Sequence, residues 1–168
     1  MLEAIKKRRS IRKFKKKEVE EEKLNEIFKA AMYSPSAAHR RPWEFIVVKD
    51  QDLKNKLSNA TPWSGFVKDA PIVLIITANQ SPQWIEDCSI VAEAIYLEAE
   101  NQGLGTCFCQ ILGSKNLSKD GEEYVKQLID APNDVRILCM MPLGYPDEEK
   151  SEHNEKEFDK NKIHLEKW

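Results

Sequence analysis

Apolar residues recur at three- and four-residue intervals in Leu24, Ile27, Phe28 and Ala31, which predicts an amphipathic helix from about Glu20 to Met32. Ser34-Pro35-Ser36 ends it, because a residue preceding proline is pushed out of the helical region. Shorter helical patterns are expected over Leu2 to Arg8 and Asp52 to Ser58, and a further helix over Glu122 to Ile129. Trp43 to Val48 reads as a strand. Ile72 to Thr77 reads as a second, and its unbroken apolar run implies burial on both faces. Thr106 to Leu112 is expected as a strand or strand-loop, and Val135 to Leu143 as the last core strand.

The segment Trp84 to Gln102 is the longest helical pattern. Ile85, Cys88, Val91, Ala92, Ile95, Tyr96 and Ala99 form one stripe, and Ile90, Ala94 and Leu97 widen it to most of the circumference. A helix apolar nearly all round is buried, and in so short a chain that suggests a second subunit covering its far side. Beyond Pro146 the chain is charged and poor in apolar residues until Phe158, Ile163, Leu165 and Trp168. Residues 147–168 are therefore expected as an arm packing on another surface, the partner subunit. Strands separated by helices without a repeat point to one α+β domain spanning 1–168.

Composition narrows the class. A 168-residue chain that is 41% hydrophobic and 32% charged, with net charge −2, fits one globular domain and lacks the basic excess of a nucleic-acid binder. The longest apolar run is far short of a membrane span. The first residues show no apolar signal core or cleavage site, and a cytoplasmic location is expected. Cys88, Cys107, Cys109 and Cys139 all lie in apolar segments and read as reduced core thiols; without Cys-x-x-Cys or His-x-x-x-His spacing, no metal site is expected.

Two segments carry candidate chemistry. Arg8, Arg9 and Arg12 cluster with Ser10 behind the first helix. Cations at a helix C-terminus are favoured by its dipole alone, but arginine forks and a serine hydroxyl also suit phosphate oxygens. The adjoining Lys15-Lys16-Lys17 run reads as a solvated loop opposed by Glu18 to Glu22. The second segment, Ser34 to Phe45, gathers small residues between Pro35 and Pro42, which would let backbone approach a flat ligand. Within it, His39 is a candidate proton donor or a plain loop residue. His153 and His164 read as structural.

Taken in order, several pieces resemble the nitroreductase family of flavoproteins. They are Arg8-Arg9-Ser10-Ile11-Arg12-Lys13-Phe14, Pro35-Ser36-Ala37 with Pro42-Trp43, and Gly103-Leu104-Gly105-Thr106-Cys107 after the long helix. Leu143-Gly144-Tyr145-Pro146 and the closing Ile163-His164-Leu165-Glu166-Lys167-Trp168 complete the series. The resemblance implies a mostly antiparallel sheet flanked by helices, an intertwined homodimer with a C-terminal arm, and flavin mononucleotide (FMN) as cofactor. It implies that Arg8, Arg9, Ser10 and Arg12 bind FMN, and that Pro35, Ser36 and Ala37 reach it from the opposite subunit. A backbone N–H of Gln110 or Ile111 would face flavin N5, Lys156 would add a phosphate cation, and Arg8 or Arg9 would stand near N1. His39 and Arg41 occupy positions where the family often has asparagine and glutamine.

The implied activity is hydride transfer from NADH or NADPH, through the flavin, to a nitroaromatic, quinone or similar small-molecule acceptor by alternating occupancy. Other reactions on the same fold, such as reduction of an activated double bond or flavin turnover, remain open. So does a non-enzymatic flavin-binding role.

Overall fold

The computed structural model describes residues 1–116 and 119–168. In chain order its elements are α1 (Glu3–Lys7), α2 (Glu21–Met32), β1 (Trp43–Val48), α3 (Gln51–Leu57), β2 (Ile72–Ala78) and α4 (Trp84–Asn101). Then follow β3 (Gly105–Thr106), β4 (Cys109–Gln110), β5 (Lys115–Asn116), β6 (Lys119–Asp120), α5 (Gly121–Leu128) and β7 (Arg136–Gly144). The main sheet runs β1-β2-β7-β3, with β4 also on β7, and every strand pair in it is antiparallel.

β2 is buried at every position, as its unbroken apolar run requires. Its alternate side chains serve two cores. Ile72, Leu74 and Ile76 pack under α2 and α4, whereas Val73 and Ile75 pack with residues of α3 and α5. The α2 stripe predicted from periodicity is the face that goes inward: Leu24, Ile27 and Ala31 are buried. α3 and α5 start at Asp50 and Asp120, whose carboxylates accept the Leu53 and Glu123 amides at 2.8 and 3.1 Å.

The expected strand over Thr106 to Leu112 is broken into β3 and β4, and β7 supplies the reason. Gly105↔Gly144 and Gln110↔Cys139 belong to one continuous register, which sets Cys107 opposite Pro142. Proline has no N–H to offer the ladder, so pairing lapses there and resumes two residues on. Beyond β4, the amides of Ile111 and Leu112 both donate to the Leu138 carbonyl, at 2.9 and 3.1 Å, a bulge that ends the strand.

α5 is tied to β7 by a forked pair. Glu122 accepts Arg136 Nε at 2.7 Å and Nη2 at 3.0 Å, and also the Ile137 amide at 3.0 Å. Burial pushes the Glu122 carboxyl up, but these hydrogen bonds and the charges of Arg136 and Lys126 outweigh it and hold it below the usual range. A depressed carboxylate contributes stability above its unfolded pKa, and that contribution is lost as pH falls through the folded value. Glu122→Gln should therefore lower urea stability at neutral pH and flatten its fall between about pH 5 and 3. An unchanged acid limb in the variant would show that this pair does not drive acid sensitivity.

One expectation needs correction. Cys109 is only half-buried and lines a cavity, so it is not a core thiol; the other three cysteines are buried. Lys15, Lys16 and Lys17 are exposed on an irregular loop and Lys17 pairs with Glu20 at 3.4 Å, as expected; the loop also borders a concavity. The far side of α4 does expose apolar side chains, Ile85 and Ile90, and the tail exposes Phe158, Ile163, Leu165 and Trp168.

Candidate functional site

The basic run leaves α1 at Arg8 and lies along the outer edge of β3. Ser10 bridges Thr106, and the Ile11 amide donates to the Thr106 carbonyl at 2.9 Å. Gly105 makes this approach possible, since a Cβ there would sit 2.6 Å from Ile11 Cγ1. Ile11 and Phe14 anchor the run in a small core of their own.

Tyr96 of α4 is the node beneath it. The Arg8 guanidinium lies 5.0 Å from the ring centroid, Ser10 Oγ is 3.1 Å from the hydroxyl, and the Phe108 amide donates to that hydroxyl at 2.7 Å. Burial pushes the Tyr96 phenol up, so it keeps its proton at neutral pH. With its oxygen accepting from Phe108, Tyr96 can donate to Ser10, which frees the serine proton for an anion. The Thr106 hydroxyl is buried nearby with no partner of its own.

The opening of the tail folds back over this run. Lys150 Nζ donates to the Ser10 carbonyl at 2.7 Å, Arg9 donates to the Ser151 carbonyl, and Glu148 accepts the amides of Arg12 and Lys13. His153 Nε2 sits 3.2 Å from Arg8 Nη2, while its Nδ1 pairs with Glu157. Arg8 and Ser10 therefore converge on Tyr96, whereas Arg9 is turned to the tail backbone and Lys150 is engaged by the Ser10 carbonyl and, at 3.5 Å, by Glu148. Lys156 is exposed on the following 3-10 turn (Glu155–Glu157), and its side chain contacts none of these groups among the described residues. Sequence reasoning missed Lys150 and Tyr96. The first was hidden in a charge-rich tail, the second in the apolar stripe of α4.

Arg12 lines a cavity of about 410 Å³ together with Trp63, Phe66, Cys107, Phe108 and Gln110. Its guanidinium lies 5.8 Å from the Phe66 ring centroid. The Cys107 thiol here is drawn down by a hydrogen bond from the Cys109 thiol and by the charge of Arg12, against burial; Cys109 is pushed up in turn. Ladder alternation decides between the two backbone donors. The Ile111 amide is spent on Leu138, so the Gln110 amide, one residue earlier, points away from β7. Ile111 is thereby excluded as a donor to a ligand, and Gln110 is left at the cavity wall.

The second predicted segment lies elsewhere in the chain. Ala37 donates to Asp87 Oδ1 at 2.8 Å and Ser36 Oγ accepts the Arg41 amide at 2.9 Å, which fixes the loop beside the first turn of α4. Asp87 and Tyr96 are nine residues apart, about 13 Å along a helix. One chain thus does not bring Pro35, Ser36 and Ala37 to Arg8. His39 and Arg41 both adopt left-handed backbone, with φ of 56° and 49°, as does Ala38 at 50°. His39 is exposed and its ring meets none of the other candidate residues.

Fold and site together define an α+β protein with a basic run at a sheet edge and an aromatic-lined cavity that Arg12 of that run borders. The family model described as the nitroreductase family matches residues 5–62 and 58–145, and the chain belongs to that family. A solved FMN-dependent nitroreductase from Clostridium difficile R20291 is 38% identical, with a TM-score of 0.97 and full coverage of both chains. A Methanothermobacter thermautotrophicus protein, provisionally named NADH dehydrogenase/NAD(P)H nitroreductase, is 39% identical over all of this chain and 87% of its own. Iodotyrosine deiodinase from Thermotoga neapolitana is 25% identical, covering 91% of this chain and 92% of its own.

Proposed function

We infer that this protein is an FMN-dependent oxidoreductase that draws on NADH or NADPH and reduces electron-poor small molecules such as nitroaromatics or quinones. The single observation that carries this reading is the meeting of Arg8 and Ser10 on Tyr96, beside a cavity walled by Arg12, aromatic rings and the free-facing Gln110 amide. A guanidinium and a hydroxyl suit phosphate oxygens, and the aromatic lining of the cavity suits a ring system. FMN, when bound, supplies the two-electron chemistry.

This chain's residues then have separable tasks. Arg8 and Ser10 hold the phosphate, with Tyr96 orienting both, and Lys150 ties the tail to the Ser10 carbonyl. Arg12 stands where it can stabilise negative charge gathered in the cavity during turnover, a task that Arg9, tied to Ser151, is badly placed to share. The Gln110 amide donates to the ring edge. Pro35, Ser36 and Ala37 serve the site of a second copy, which makes the functional unit a homodimer; the exposed apolar residues of α4 and the tail suit that contact. Residues 147–168 begin as a strap on the cofactor run and continue as the arm that embraces the partner.

Anaerobic stopped-flow mixing of the FMN-loaded protein with NADH and with NADPH tests the reading. Bleaching of the flavin band, followed by recovery on adding a nitroaromatic or quinone, is expected. A band that neither donor bleaches would point to a carrier.

A further inference from the structure

A second concavity, of about 690 Å³, adjoins the first across Arg12, which lines both. Its wall is dominated by cations: Arg12, Lys13, Lys15, Lys16, Lys54 and Lys68. Lys17 also borders it, but its ammonium is engaged 3.7 Å from the Tyr145 ring centroid and 3.4 Å from Glu20. The opposing acids are Glu18, Asp69 and Asp147, so the cavity keeps a clear positive excess.

Lys54 is the informative member. It is 5% exposed, and its ammonium donates to the Ala70 and Pro71 carbonyls at 2.8 and 3.3 Å. No carboxylate lies within ion-pair distance of it among the described residues, and its third N–H is left without a protein acceptor. Burial draws its pKa down. A buried, unpaired cation is costly to keep unless a counter-ion reaches it. Lys13, Lys15, Lys16 and Lys68 likewise form no side-chain ion pair among the described residues, so the wall is charged and uncommitted.

We propose that this cavity binds the phosphate groups of the nucleotide donor, and that it favours NADPH, with its added 2′-phosphate, over NADH. The proposal rests on the donor reading above, because Arg12 joins the cavity to the one where electrons are exchanged. The compound 2′,5′-ADP carries the same phosphates without the nicotinamide, so its binding can be measured apart from turnover.

The test is calorimetric titration of the FMN-loaded protein with 2′,5′-ADP, 5′-AMP and inorganic phosphate, repeated on the Lys16→Glu/Lys68→Glu double variant. Both positions are exposed and outside the cofactor site, and an unchanged flavin content checks that the fold is intact. Expected is 2′,5′-ADP bound at least tenfold more tightly than 5′-AMP, with that advantage lost in the double variant. The KM for NADPH should rise about tenfold in the variant while that for NADH stays put. Equal binding of 2′,5′-ADP and 5′-AMP, or a double variant that binds 2′,5′-ADP normally, would overturn the proposal. Inorganic phosphate competing as well as 2′,5′-ADP would overturn the assignment to a nucleotide. Failure of the donor reading itself shows separately, as a flavin band that neither donor bleaches.

Discussion

Arg8→Ala should release FMN, weakening its binding about 100-fold while leaving the fold in place. A hydrogen bond to a charged group is worth about 1.5–3 kcal/mol, and an arginine fork can place two on one phosphate. Arg8 is held ready for that task by the Tyr96 ring below and His153 beside it, so little ordering entropy is lost on binding. Its own contacts are local and its side chain only half-buried, so urea stability without cofactor should change little. Fluorescence titration of the cofactor-free variant with FMN measures the loss. Arg9→Ala, at a residue committed to the Ser151 carbonyl, should weaken binding much less. Equal losses in the two variants would contradict the division of labour between these neighbours.

Gly105→Val should damage stability and cofactor binding together. A Cβ at this position would lie 2.6 Å from Cγ1 and 2.7 Å from Cβ of Ile11, and the latter atom cannot swing aside by changing rotamer. Ile11 is buried and its amide holds the Thr106 carbonyl, so the clash must lift the basic run from β3. Overpacking of this kind costs about 1–3 kcal/mol. The Ser10 bridge to Thr106 would move with Ile11, and FMN affinity should fall with it. Gly65→Ala is the matched control: nothing lies within 4 Å of its would-be Cβ, and its stability should stay within about 0.5 kcal/mol of the parent. Chemical unfolding and FMN titration of the two variants decide the matter. A Gly105→Val protein as stable as the control would mean the run is not clamped where the structure has it.

Strong periodic patterns carried most of the fold. The α2 stripe and the unbroken run of β2 each specify burial by spacing alone, and both lie where that spacing puts them. The break between β3 and β4 was illegible, because it depends on Pro142 arriving opposite Cys107 from a distant strand. The same holds for the site. Arginines with a serine announce an anion grip locally, yet the choice of Gln110 over Ile111 rests on ladder alternation, which only pairing with Leu138 reveals. Lys150 was lost among the charges of the tail, since nothing in residues 147–157 signals that they strap onto Ser10 and Arg12. The burial of Lys54 was equally illegible, because it depends on α3 docking that side chain against the Ala70 and Pro71 carbonyls.

The central claim is that Arg8 and Ser10, set in place by Tyr96, form a phosphate grip for the flavin. Titrating the cofactor-free protein with FMN and, in parallel, with riboflavin tests it most directly, because the two ligands share the ring and ribityl chain and differ in the phosphate alone. The grip predicts FMN bound about 100-fold or more tightly than riboflavin, with the gap largely closed in Arg8→Ala. Equal affinity for the two, in the parent protein, would contradict it.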